Sequence, residues 1–448
     1  MLRLGCGSGF SSDRLGPAID LAEKGRLDYL VFETIGERTM AFGHRDRKAD
    51  PRRGYNPQLG QRMRGVLKAC RRNGTRVVTN MGVANVAAAA ELTVAIAREL
   101  GLSGLKVAAV EGDDVTAMIG PETRLFDHHD KRVDEVGLAV VGANVYLGVD
   151  AILPALEAGA DVVITGRVSD PSLFLAPIMH RCGWRRDDWE RLGRGTLVGH
   201  LMECGMQITG GYYADPGRKD VPGLARCGYP IAEVEEGGEA VITKLADAGG
   251  MVSPRTVKEQ LLYEVHDPRA YLTPDVTADF SKVNVGEAGA NRVAVSGASG
   301  RAQPETLKVT VGFDGGFYAE AGVSYAGPNA VARARLAANI LRERLGPDEI
   351  GSAPLRIDLV GVNALHATAD LAIDDPDTSM PADVRIRAAM RSADRAACEM
   401  LLWETESLLC CGPAGGGGYR GQITPSVVTH SALIPRGAVK PSVRMLVA

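Results

Sequence analysis

His200 and Glu203 stand three residues apart in "HLMECGMQITGGYYADPGRKD". On a helix that spacing puts an imidazole and a carboxylate on one face, where they can exchange a proton or ligate a metal. The same spacing also suits a satisfied buried pair with no chemistry. Cys204 follows directly. A thiolate nucleophile needs a depressed pKa, and one step round the helix the thiol need not face the same way. Gly210 and Gly211 let the backbone turn sharply or approach a ligand. His200 and Glu203 are therefore the candidate catalytic residues, with Gly210 and Gly211 as candidate substrate contacts.

A second set of polar residues recurs after short apolar runs. Arg167 and Asp170 lie in "TGRVSDPSLFLAP". Arg167 can grip a carboxylate or phosphate bidentately, or pair with Asp170 to close the loop. Asp170 before Pro171 also suits a helix cap. Gly7, Ser8 and Gly9 fall in "GCGSGF", which lacks the third glycine of a dinucleotide fingerprint. Its backbone amides suit an anion, and no cofactor is identified. Glu33, Asn80, Asp113 and Asn144 complete the candidate substrate-binding set; none is assigned to a metal. Asn, Asp, Ser and Gly also make ordinary turns and caps, so these positions locate a site better together than singly.

The elements that would position them follow a rhythm. "LRLGCG", "DYLVFE", "TRVVTNMG", "LKVAAVEGDD", "GLAVVGANVY" and "ADVVITGRVSD" are apolar, strand-like runs separated by helical patterns. Such runs indicate a parallel sheet covered on both faces, whose strand carboxyl ends bind ligands. The predicted class is α/β, with an N-terminal, doubly wound, mostly parallel sheet over 1–225 that holds the ligand site at those ends. "NRVAVSGA", "TLKVTVGFDGG" and "FYAEAGVSYAG" suggest antiparallel strands with "DGG" as a hairpin turn, inside a smaller α+β domain over 226–380. The remainder, 381–448, is expected to be amphipathic helices, the "GPAGGGG" loop and a short tail. That loop is either an anion nest or a linker.

Composition excludes several classes. The 448 residues are 45% hydrophobic and 24% charged, which a folded chain has and a disordered one does not. Fifty-one basic against 55 acidic residues leave a net charge of −4, with no basic footprint for nucleic acid. No C-x-x-C pair occurs among the eight cysteines, so zinc-ribbon and thioredoxin-like motifs are not expected. "VANVAAAAELTVAIA" is broken by Glu91 and reads as a buried helix rather than a membrane span. With no signal-peptide pattern at the start, a cytoplasmic chain with reduced thiols is expected.

Longer blocks carry a resemblance. "GCGSGFSSDRLGPAIDLAEKGRLDYLVFE", "TRVVTNMGVAN", "TGRVSDPSLFLAPIMH", "GHLMECGMQITGGYYADPGRKDVPGLARCGYPIAEV", "KEQLLYEVHDPRAYLTPDVTADF", "TLKVTVGF" and "GPAGGGG" together resemble the acyclic terpene utilisation protein AtuA family over nearly the whole length. The resemblance implies a place in the catabolism of branched acyclic terpenoids through CoA thioesters. It carries over no catalytic residue. Members often carry a further small domain after the glycine-rich stretch, whereas about thirty residues follow Gly418 here. If that domain completes the site in other members, a separate small partner subunit is expected here; a homo-oligomer is expected as well.

Three readings follow. The first is an enzyme acting on an acyl-CoA or related carboxylic acid by hydratase- or lyase-type acid–base chemistry, with Arg167 and the Gly5–Gly9 amides holding anionic groups. The second is a non-catalytic acyl-CoA-binding or scaffold subunit. The third is a metal-dependent hydrolase using Glu33, Asp113 and His200.

Overall fold

The computed structural model describes residues 1–365 and 383–448. At its centre five strands, Leu2–Gly9, Tyr29–Glu33, Arg76–Thr79, Val162–Thr165 and Lys106–Glu111, lie side by side in that order. All four of their pairings are parallel. Tyr29–Glu33 is buried at every position, because helices cover both faces and leave no solvated side to alternate with. Leu30, Phe32, Val77, Val107 and Ile164 meet Leu21, Met63, Leu67 and Ile96 from three helices on one face. The alternate residue Tyr29 reaches the other face, where its hydroxyl bonds Nδ1 of His180 at 2.9 Å on the helix Ser172–Cys182.

Helix Leu59–Asn73 shows how the sequence builds one of these layers. Leu59, Met63, Val66, Leu67 and Cys70 are buried, a spacing that draws one apolar stripe along a helix. The helix stops at Gly74, whose φ of +70° is the left-handed cap that glycine adopts without strain.

Antiparallel strands extend this sheet on both sides. Pro230–Val234, Ala240–Lys244, Val293–Ser296 and Asn284–Glu287 follow from Leu2–Gly9 outward, and Ser442–Val447 closes the far edge against Lys106–Glu111. The fold is α/β, as the apolar rhythm predicts. One expected strand departs from it. Val140–Val145 leaves the large sheet and pairs with the long strand Thr306–Ala326. The edge it would have taken is held by Ser442–Val447, and Gly142 instead lies against the ring of His44, so close that an added Cβ would stand 2.3 Å from it.

The chain divides into two compact units, 1–312 with 429–448, and 313–428. Strands Leu355–Val360, Asp383–Ser392, Thr306–Ala326 and Gly417–Pro435 form a sheet in that order, and the second unit holds the first two whole and the last two from 313 and up to 428. Helices Ala330–Arg344 and Arg395–Cys411 pack Ala334, Leu341, Cys398 and Leu401 against Val323, Tyr325, Ile386 and Met390. Three local expectations change here. Residues 383–392 form a strand rather than a helix, because Val384, Ile386, Ala388 and Met390 alternate inward beneath a composition of helix-favouring Ala and Arg. "DGG" is no hairpin, since one strand runs through it and Gly316 absorbs the irregularity at φ +70°. The final tail is itself strand. The expected boundary at 380/381 lies outside the described residues.

No described helix is long and apolar enough to cross a membrane.

Candidate functional site

A cavity of about 830 Å³ opens in the first unit at the carboxyl ends of the parallel strands. That is where an open α/β sheet presents loops and helix N-termini to a ligand. Gly9 enters it from the first strand, Glu33 from the second, Arg167 and Asp170 from the loop after Val162–Thr165, Glu203 from the last position of the helix Trp189–Glu203, and Gly211 from beyond it. The other candidates stand behind its wall.

Glu33 is held by its neighbours. Its Oε1 accepts from the Ile35 amide at 2.6 Å and from Asn80 Nδ2 at 3.0 Å. Asn80 is fixed in turn because its Oδ1 accepts from the Thr34 amide at 2.9 Å. Ser8 donates to the Glu33 carbonyl at 2.7 Å. Burial raises the Glu33 carboxyl well above its usual range, and the charge of Asp170 adds to this, so Glu33 favours its protonated form. Asn80 and Ser8 thus position Glu33 from beneath. Gly7 packs on Phe32, whose ring would lie 2.5 Å from an added Cβ.

Arg167 is the buried cation of the site. Its Nη1 donates to the Ile35 carbonyl at 2.7 Å and to Asp170 at 3.1 Å. The internal pair foreseen from "TGRVSD" is therefore present, and Asp170 makes no side-chain cap on the helix Ser172–Cys182. The guanidinium carbon lies 3.9 Å from the centroid of the Tyr146 ring, with Lys308 Nζ at 4.9 Å from the same centroid. Burial alone would lower the Arg167 pKa, but Asp170, Tyr146, Glu33 and Glu37 outweigh it. Nε of Arg167 is buried without a hydrogen-bond partner.

Asp113 and Asn144 support this cation from behind. Asp113 Oδ2 accepts both the Arg167 amide at 2.7 Å and Asn144 Nδ2 at 2.8 Å, and Asn144 Oδ1 meets Nε2 of His44 at 2.6 Å. Burial pushes the Asp113 pKa up to about 6.

The predicted pair on the helix Trp189–Glu203 is in contact, and its two members differ in exposure to the cavity. His200 Nδ1 lies 3.1 Å from Glu203 Oε1, and its Nε2 lies 3.2 Å from the Leu261 carbonyl. A carbonyl only accepts, so Nε2 carries the ring proton and Nδ1 accepts from a protonated Glu203. Burial beside Phe280 and Tyr271 lowers His200 to about 4. Burial and the charges of Asp170 and Glu264 raise Glu203 well above its usual range. Only Glu203 reaches the cavity wall, and its Oε2 is buried with no partner. Cys204 also lines the cavity, but burial raises its pKa, which keeps it a thiol. Gly210 turns at φ +108° against Val221, outside the wall.

Glu33, Asp113 and His200 are thus engaged separately, and among the described residues no group of three or more His, Cys, Asp or Glu is placed to hold a metal ion.

With this geometry in hand, comparison adds an assignment. The family model described as acyclic terpene utilisation family protein AtuA matches residues 2–445. The chain belongs to that family. No curated protein and no solved structure matches it. Membership ties the chain to acyclic terpene utilisation.

The cavity also uses residues that no pattern above singled out. Glu37 opens the helix Glu37–Ala49 and accepts from the Tyr146 hydroxyl at 2.9 Å. Burial would raise it, but Arg167 and Lys308 bring it down to about 2. An acid in the first turn after a strand and glycine is a readable signal. Arg62 is fully buried and donates to Ser8 Oγ and the carbonyls of Ser11 and Asp13, which fixes the loop beside Gly9. Glu264 and Tyr263 arrive from a distant loop, and no local pattern announces them.

Proposed function

We propose that this AtuA-family chain is an enzyme that moves protons on an acyl-CoA or a related branched carboxylic acid, in hydratase- or lyase-type chemistry, with Glu203 as the acid–base residue. The observation that carries the reading is the divided role of its carboxyl: Oε1 tied to His200 and Oε2 buried at the cavity wall without a partner. In its ionised form a carboxyl so held can take a substrate proton on Oε2, and in its protonated form it can return one. His200 is then a positioning residue, not a group that touches substrate.

In a dehydration, the Cα–H proton goes to Glu203 Oε2 and its electron pair into an enolate. Arg167, with its fixed charge, faces that developing negative charge. Glu33, held protonated by burial and Asp170, gives its proton to the departing β-hydroxyl, which leaves as water as the Cα–Cβ double bond forms. The reverse sequence is hydration. A pair of carboxyls at raised pKa is what such chemistry requires near neutral pH.

The test is washout of α-deuterium from short branched acyl-CoAs in the presence of the purified chain, with formation or loss of the enoyl absorbance followed in parallel. Glu203→Gln should lower either rate by at least about 10²-fold, the usual contribution of a positioned acid or base. Full activity in a folded Glu203→Gln chain, or no exchange and no binding with any thioester, would overturn the reading.

A further inference from the structure

The second unit carries a separate cavity of about 430 Å³ on the face of its sheet opposite the two helices. Arg385, Arg387 and Arg420 line it, with Glu320, Gly322 and Gln422. The three arginines differ in how their charge is met. Arg387 is neutralised, since its Nε donates to Glu320 Oε2 at 2.8 Å and its Nη1 to Asp358 Oδ2 at 2.9 Å. Among the described residues Arg385 meets only neutral oxygens. Its Nη1 donates to Ser324 Oγ at 3.2 Å and the Gly418 carbonyl at 2.9 Å, and its Nη2 to the Gly322 carbonyl at 2.9 Å. Arg420 donates to the Tyr419 carbonyl at 2.7 Å. Among the described residues neither Arg385 nor Arg420 has a carboxylate within ion-pair distance.

Among the described residues these two cations have no carboxylate of their own; like charges repel, and an anion between them removes that cost. Each also keeps donors to spare. A guanidinium has five N–H groups; Arg385 spends three of them and Arg420 one in these bonds. The floor is shaped to match. At Gly322 an added Cβ would lie 2.4 Å from the Ile386 carbonyl and 3.0 Å from Arg385 Nε, so only glycine leaves the guanidinium flat against the strand. Gly418, at the end of the "GPAGGGG" loop, supplies one carbonyl that anchors Arg385.

We propose that this cavity binds a phosphate group of a small-molecule ligand, gripped by Arg385 and Arg420. Phosphate fits better than carboxylate, because its three terminal oxygens and double charge can engage two guanidinium forks at once. The site is independent of the carboxyl-lined cavity of the first unit, and it stands if the acid–base reading of that cavity fails.

The experiment is calorimetric titration of the full chain, in a chloride buffer free of phosphate, with inorganic phosphate, pyrophosphate and adenosine 3′,5′-bisphosphate. Acetate serves as the carboxylate control. Saturable binding of at least one phosphate compound, with acetate silent, is expected. Tighter binding of the nucleotide would make the group part of a nucleotide-bearing ligand; tighter binding of the inorganic ions would make it free phosphate. Arg420→Gln, at an exposed position, should weaken the affinity about tenfold or more while leaving the melting temperature unchanged, as loss of a charge-assisted bond does. Arg385→Gln should do the same or more. Absence of saturable phosphate binding, equal affinity in Arg420→Gln, or acetate binding as tightly as phosphate would overturn the proposal.

Discussion

Nδ1 of His200 lies 3.1 Å from Oε1 of Glu203 while Nε2 of the same ring lies 3.2 Å from the Leu261 carbonyl. The second contact decides the first, because the carbonyl claims the ring proton and the carboxyl must then donate. Glu203→Gln should therefore be tolerated, since an amide N–H can replace the acid proton toward Nδ1. Its cost in urea unfolding should stay within about 1 kcal/mol. His200→Ala removes a ring packed between Phe280 and Tyr271 together with both bonds, and should cost about 2–4 kcal/mol. Equal destabilisation by the two changes would mean that the carboxyl is ionised and the ring charged.

Asp113 offers a cleaner pH test. Its folded pKa, about 6, lies above the usual 3.8, so its contribution is fully present below the lower value and is lost as pH rises to the upper. About two units correspond to about 3 kcal/mol at most. His200 runs the other way. Its folded value of about 4 lies below 6.5, so stability is lost as pH falls through that range. Both bonds to Asp113 end on one oxygen, so Asp113→Asn keeps them. This variant should be about 1–3 kcal/mol more stable than the native chain at pH 7.5, and should lose stability more steeply on acidification from 6.5 to 4. A variant less stable at pH 7.5 would show that the charge of Asp113 is favourable where it sits.

Gly9 is the point where the first strand meets the end of the helix Trp189–Glu203. An added Cβ would stand 2.3 Å from the Cys204 carbonyl carbon, 2.4 Å from the Glu203 carbonyl oxygen and 2.5 Å from the Gly205 nitrogen. All three are backbone atoms and cannot rotate away. Gly9→Ala should cost about 3 kcal/mol or more, or displace the 203–205 corner and close the cavity. Thermal unfolding and ligand-induced stabilisation measured together will separate these outcomes. A variant that melts and binds like the native chain would mean that this corner is loosely packed.

The residues differ in how far their sequence context reveals them. Glu33, Arg167 and Asp170 reach the cavity because they end or closely follow parallel strands, and apolar runs followed by polar residues mark such ends directly. His200 and Glu203 were readable as a pair from helical spacing, yet spacing cannot tell which member faces a cavity and which backs it. That depends on the distant residues Leu261, Tyr271 and Phe280 packing on His200. Val140–Val145 reads as a sheet strand like its neighbours, because its exclusion is decided by Ser442–Val447 nearly 300 residues later. The strand Asp383–Ser392 was hidden by its alanines and arginines, which suit a helix when the alternation is overlooked.

Ser442–Val447 and Lys106–Glu111 pair along their lengths, although the whole second unit, 313–428, lies between them in the chain. During synthesis the strand at 106–111 must wait with a bare row of N–H and C=O groups until more than 300 further residues have been made. An open edge of this kind recruits other strands, and closing so long a loop is slow. The second unit is therefore a delay built into the folding of the first, and the ribosome-bound chain is exposed to mispairing for as long as that unit takes to emerge.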